Sequence, residues 1–125
     1  MKLNIDCIRD LLLIVESDTS PGVPICFTAL QEKLSDYSDD DIVYTALKLE
    51  EAGFIICNTR NVRTYHPSLI ITELTFYGHQ FLEDIRSEKN WSKVKSVSKS
   101  VGSASLNVLS EIASSVIAGL IKSQL

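Results

Sequence analysis

Apolar residues recur at helical spacing from the start of the chain. Ile5, Ile8, Leu12 and Val15 share one stripe that Leu11 and Ile14 widen, which predicts a helix over about 4–16. The run Asp18-Thr19-Ser20-Pro21-Gly22 breaks it. Val23–Phe27 is short, β-branched and aromatic and reads as an edge strand, the only sheet position that tolerates Pro24. Thr28, with Gln31 three residues on, reads as a capping box that opens a second helix through Leu34. Ser38 caps a third helix, whose first turn holds Asp39, Asp40 and Asp41, where the helix dipole favours acids. Its apolar face is Ile42, Val43, Ala46, Leu47 and Leu49, and Gly53 ends it. Phe54–Asn58 and Leu69–Leu74 read as two strands joined by the polar stretch Thr59–Ser68. Thr75 caps a fourth helix, Phe76–Arg86, with Phe81, Leu82 and Ile85 inward. Ser87–Ser100 reads as a basic, Ser-rich connector around Trp91, partly helical, and Ser103–Lys122 as the last helix.

The order helix, short strand, helix, helix, hairpin, helix predicts a mainly α, α+β fold. It is a winged helix-turn-helix with a small β-hairpin wing over residues 1–88. Residues 89–125 form a basic connector and a C-terminal helix that packs on the domain or on a second subunit. Composition agrees with a globular chain: 45% of residues are hydrophobic and 22% charged. The net charge of −4 disfavours a generic nucleic-acid coat. That charge is uneven, because residues 1–90 carry eight Lys/Arg against fifteen Asp/Glu, whereas residues 91–125 carry four lysines against Glu111 alone. Cys7, Cys26 and Cys57 are odd in number, sit among apolar residues and lack CxxC spacing, which predicts buried reduced thiols in a cytoplasmic protein. Asp6, Arg9 and Asp10 interrupt any signal-like apolar run. Val101–Ile121 is long enough to span a bilayer, but five serines and Asn107 lie in it, so a packing helix is expected rather than a membrane span.

One stretch carries a resemblance. Leu74-Thr75-Phe76-Tyr77-Gly78-His79-Gln80-Phe81-Leu82-Glu83-Asp84-Ile85-Arg86, followed by Trp91, Lys93 and Lys95, resembles the bacterial and phage domain-of-unknown-function family 2513. Ile8-Arg9-Asp10-Leu11-Leu12 and Leu47-Lys48-Leu49-Glu50-Glu51-Ala52-Gly53-Phe54 resemble it too. The similarity runs over nearly the whole chain, its most specific block is Gly78–Leu82, and Gln80 departs from the glutamate more usual there. The resemblance implies a winged-helix-like protein, phage or prophage encoded, and transfers no catalytic residue.

Candidate chemistry is sparse. Cys7, Cys26, Cys57, His66 and His79 have no metal-ligand spacing, so no metal site is expected. His79 lies in the first turn of the fourth helix, and proton transfer there would need a partner acid and a pocket. No serine sits in a GxSxG elbow and no glycine-rich phosphate loop occurs. The acidic run Asp36, Asp39, Asp40 and Asp41 lacks the spacing of a calcium loop. These readings predict neither an enzyme nor a cofactor.

Two surfaces remain. In a winged helix the third helix reads the major groove. Its outward face here is expected to show Asp40, Asp41, Tyr44, Thr45, Lys48 and Glu51, one positive charge against three negative. The wing residues Arg60, Asn61 and Arg63 are better phosphate ligands, and Lys89, Lys93, Lys95 and Lys99 add a second basic patch. Nucleic-acid binding is therefore expected to be weak. In the last helix Leu106, Leu109, Ala113, Val116 and Leu120 alternate steps of three and four, a short heptad seam flanked by Ile112, Ile117 and Ile121. A stripe this apolar needs cover, which predicts a homodimer through the C-terminal helix. The function expected is a non-catalytic interaction module that binds a protein partner, with a DNA-binding regulator as the alternative.

Overall fold

The computed structural model describes residues 1–125, a mainly helical α+β chain of six α-helices and a three-stranded antiparallel sheet. The elements are α1 (Ile5–Asp18), β1 (Ile25–Cys26), α2 (Phe27–Lys33), α3 (Asp39–Glu51), β2 (Ile55–Asn58), β3 (Ile70–Leu74), α4 (Phe76–Ile85), α5 (Glu88–Val101) and α6 (Leu106–Gln124). A single 3₁₀ turn, His66–Ser68, precedes β3. The chain divides into two compact units, Met1–His79 and Gln80–Leu125.

In the first unit, α1 starts where the Asn4 side chain accepts from the Cys7 amide. It buries Cys7, Ile8, Leu11, Leu12 and Val15, the stripe its spacing predicts. Ser38 caps α3 by accepting from the Asp41 amide, and Ile42, Val43, Ala46, Leu47 and Leu49 are all buried. The sheet order is β1-β3-β2, so the first strand pairs with the last. Ile25 faces Ile71 and Ile55 faces Leu74, and these four are buried, while Ile56 and Ile70 lie exposed. A bulge between Ile56 and Cys57 shifts the register of β2.

The second helix begins earlier than expected. Cys26 is held extended by its pairing with Ile70, and the chain turns straight from that pairing into helix at Phe27. Thr28 is consequently an exposed residue of the first turn, not the cap, and the Gln31 amide donates instead to Asp39 Oδ1 at 3.0 Å. The strand shrinks to Ile25–Cys26, because Val23 forms an isolated bridge to Ser20 and Pro24 has no amide to donate.

The second unit holds a helical hairpin. The stretch expected to be a partly helical connector is a complete helix, α5, capped by Ser87 and ended by Gly102 in the left-handed region at φ 81°. Trp91, Val94 and Ser98 recur at helical spacing and form its buried face. The Ser98 hydroxyl donates to the Ser103 carbonyl, which ties the turn, and Ser105 caps α6.

Candidate functional site

Three surfaces carry the residues singled out by sequence. The first is α3 with the β2–β3 connection. Thr45, expected on the outward face of α3, is instead fully buried. It lies three residues after Ile42 and four before Leu49, squarely on their stripe. Its hydroxyl meets no oxygen or nitrogen partner and has only the neighbouring Cys7 thiol to interact with. Burial pushes that thiol up to about 11, so it stays protonated. Tyr44 is half-buried, with the Lys48 ammonium 5.3 Å from its ring centroid. Lys48 also pairs with Glu51 at 2.9 Å, so the one cation of that face is already matched.

The connection between β2 and β3 braces itself. Asn61 takes a left-handed backbone, φ 61°, and its carbonyl accepts from the amides of Thr64 and Tyr65. Ser68 donates to the carbonyls of Arg60 and Tyr65, and Val62 is fully buried. Arg60, Asn61, Arg63 and Tyr65 are left outermost and exposed. His66 clasps this loop to the start of α3: Nδ1 lies 2.8 Å from the Val62 carbonyl and Nε2 3.1 Å from Asp40 Oδ1. Both partners accept only, so the ring satisfies both when it is protonated, and its pKa is raised accordingly, first by the Val62 carbonyl and then by Asp40. The clasp ties the acidic first turn of α3 to the loop that carries the two arginines.

The second surface is a cleft of about 140 Å³ lined by Glu16, Thr19, Ser20, Glu73 and His79. His79 Nδ1 lies 4.0 Å from Glu16 Oε2, beyond hydrogen-bond reach. The sequence carries no signal for this acid, which approaches from the far end of α1. The cysteines are dispersed: Cys7 is buried, Cys57 half-buried with burial pushing it up to about 11, and Cys26 exposed. Cys26 thus departs from the expectation of three buried thiols, since the outer face of a two-residue edge strand has nothing over it.

The third surface is the hairpin of α5 and α6. Leu109 and Ala113, placed by the heptad spacing on a partner-facing seam, are instead fully buried within the chain. Leu106 and Val116 are half-buried and Leu120 is 41% exposed. The open side of α6 is turned by about one row from the expected seam. There Val108, Ile112, Val116 and Leu120 line a groove of about 710 Å³, walled on one side by Lys93, Val97 and Val101 of α5. The opposite wall is Glu111, Ser115, Gly119 and Ser123. Lys95 does not reach this groove; its ammonium stands 5.7 Å from the Trp91 ring centroid. By length and composition α6 could cross a membrane, and only 11% of its apolar window is buried.

A family model described as "Hypothetical protein (DUF2513)" matches residues 2–105. The chain belongs to this family. A Haemophilus influenzae protein described as an uncharacterized protein is 28% identical over 122 residues, spanning 97% of this chain and 99% of its own. No solved structure matches the chain. The fold explains part of the block that resembles the DUF2513 family most. Thr75 donates its amide to the Phe54 carbonyl and its hydroxyl to the Gly53 carbonyl, then accepts from the Gly78 amide. A Cβ at Gly78 would stand 1.9 Å from the Phe54 carbonyl oxygen, so only glycine lets α4 start this close to the α3–β2 turn. Phe81 and Leu82 are buried, whereas His79 and Gln80 are exposed. The DUF2513 match ends at residue 105, one residue before α6.

Proposed function

We propose that this DUF2513 protein is a non-catalytic interaction module whose first unit is a winged helix and whose binding face for protein is the α5–α6 groove. The element order α1-β1-α2-α3-β2-β3, with β1 beside β3, supports the winged-helix reading. The observation that carries the binding reading is the groove: a continuous apolar row on a helix whose outer half is exposed. The cleft beside His79 is a poor competitor, since its 140 Å³ falls below the roughly 300–1,000 Å³ of small-molecule sites.

The test is affinity purification of the full chain from host lysate, with and without nuclease. It compares the native protein with the Val116→Asp and the paired Arg60→Ala/Arg63→Ala variants. The expected outcome is the same captured protein, further copies of the chain included, with and without nuclease, lost only in Val116→Asp. Recovery that depends on nucleic acid and on the two arginines would overturn it.

That second outcome belongs to a DNA-binding regulator, which the exposed Arg60, Asn61 and Arg63 favour. Its mark would be a salt slope of log affinity that flattens by about 0.9 for each phosphate left without its arginine. Asp40, clasped through His66 to the loop that carries those arginines, and Lys48 already paired, weigh against it. The reading places the protein in the cytoplasm, with α6 covered by protein rather than by lipid.

A further inference from the structure

The α5–α6 groove is apolar along its floor but carries one charge on each wall: Lys93 on α5 and Glu111 on α6. Both are exposed, and neither makes an ion pair within the chain. Val108, Ile112, Val116 and Leu120, which line the groove, follow one another at intervals of four and form an apolar ridge along α6. The neighbouring row at the same interval, Glu111, Ser115, Gly119 and Ser123, is small after its first member and forms a furrow beside that ridge. A Cβ at Gly119 would meet nothing within 4 Å, so the furrow is open and not filled by the chain itself.

We infer that the occupant of this groove is α6 of a second copy of the chain, packed about a two-fold axis with Lys93 of each copy facing Glu111 of the other. The inference rests on the reading of the groove as a protein-binding face. A two-fold axis exchanges the two walls, so a surface with a cation on one wall and an anion on the other complements itself. The ridge of each copy enters the furrow of the other, the packing in which rows at intervals of four interdigitate. Both unmatched charges gain partners twice over, and the Val116 and Leu120 side chains leave water. A bilayer is the weaker occupant, because it would bury Lys93 and Glu111 on the apolar side with no counter-charge.

The experiment is analytical ultracentrifugation of the full-length protein across a concentration series, with charge-exchanged variants. The native chain dimerises. Lys93→Glu alone and Glu111→Lys alone each weaken self-association by about tenfold or more, because like charges then face each other at both crossings. An equimolar mixture of the two variants recovers a one-to-one dimer, and the double variant K93E/E111K recovers a homodimer. A misfolded variant cannot give that rescue, so loss of folding does not mimic the result.

A native chain that stays monomeric at its highest soluble concentration overturns the inference, as do single variants that dimerise like the native protein. If the chain is monomeric while Val116→Asp still abolishes capture of another protein, the second copy is wrong and the protein-binding reading stands. If the monomeric chain co-sediments with mixed phosphatidylcholine and phosphatidylserine vesicles, and Val116→Asp prevents it, both fail.

Discussion

The two compact units treat their apolar residues in opposite ways. Met1–His79 closes on itself: both faces of the α1–α3 packing are buried, and one face of the sheet is filled by Ile25, Ile55, Ile71 and Leu74. In Gln80–Leu125 the long helix α6 buries only Leu109 and Ala113 and leaves Leu120 and Ile121 in water. Charge divides the same way, with six Lys/Arg against twelve Asp/Glu in the first unit and six against four in the second. An acidic closed body suits a scaffold, and a basic hairpin with an open apolar side suits a binding surface. Reading hydrophobic spacing alone treats both as core, and only the packing separates apolar residues that are satisfied from those that are not.

Paired substitutions break or sharpen that contrast. The largest effect is expected at Leu49, fully buried in α3, where Leu49→Ala costs about 2–5 kcal/mol in urea unfolding. Leu120→Ala, measured at a concentration where the chain is monomeric, shifts stability by less than about 0.5 kcal/mol. Equal costs at the two positions would mean that α6 is as closed as α3. The glycines make the second pair. Gly78→Ala drives a methyl into the Phe54 carbonyl and costs about 3 kcal/mol or prevents folding. Gly119→Ala, with open space around it, stabilises the isolated monomer by about 0.5–1 kcal/mol through helix propensity. In the proposed dimer the same methyl would fill the furrow and weaken self-association.

Thr45→Val tests how closed the first unit is. It replaces a buried hydroxyl that has only the Cys7 thiol beside it by a methyl of similar volume, and is expected to raise stability by about 1 kcal/mol by thermal unfolding. The smallest effect is that of pH on His66. Its pKa is raised in the folded protein, so the contribution is fully present below the unfolded imidazole value of about 6.5 and is lost as pH rises through the folded one. The stability difference between the native protein and His66→Gln should therefore be greatest near pH 5 and shrink towards pH 8. Asp40→Asn should remove part of that dependence, because the carboxylate holds one of the two ring nitrogens.

Where the sequence is legible, one element carries its own signal. The α1 stripe, the Ser38 cap, the pairing of the two long strands and the buried α3 face all follow from local spacing. Thr45 defies the outward placement its hydroxyl suggests, although the spacing of Ile42 and Leu49 already puts it inside. The full length of α5 is hard to read because Ser96, Ser98 and Ser100 interrupt a helix whose apolar members are only Trp91, Val94, Val97 and Val101. The heptad seam captures the apolar content of α6 and is one row off in direction, since no single-helix pattern says which side α5 covers. The Glu16–His79 approach and the Phe54–Gly78 junction join distant parts of the chain, and nothing local announces them.

The sheet order has a consequence for how the chain is born. β1 lies against β3 and not against β2, so Ile25 has no partner until Ile71 has been made. On a ribosome the first half emerges with its opening strand unpaired, and the sheet closes only when the later strand slides between the two earlier ones. The α5–α6 hairpin, built from neighbours joined by a short turn, needs no such wait. A nascent chain halted inside β3 would therefore hold two separated strand edges and expose Ile25 and Ile55, which makes that interval of synthesis the one in which this protein most needs a chaperone.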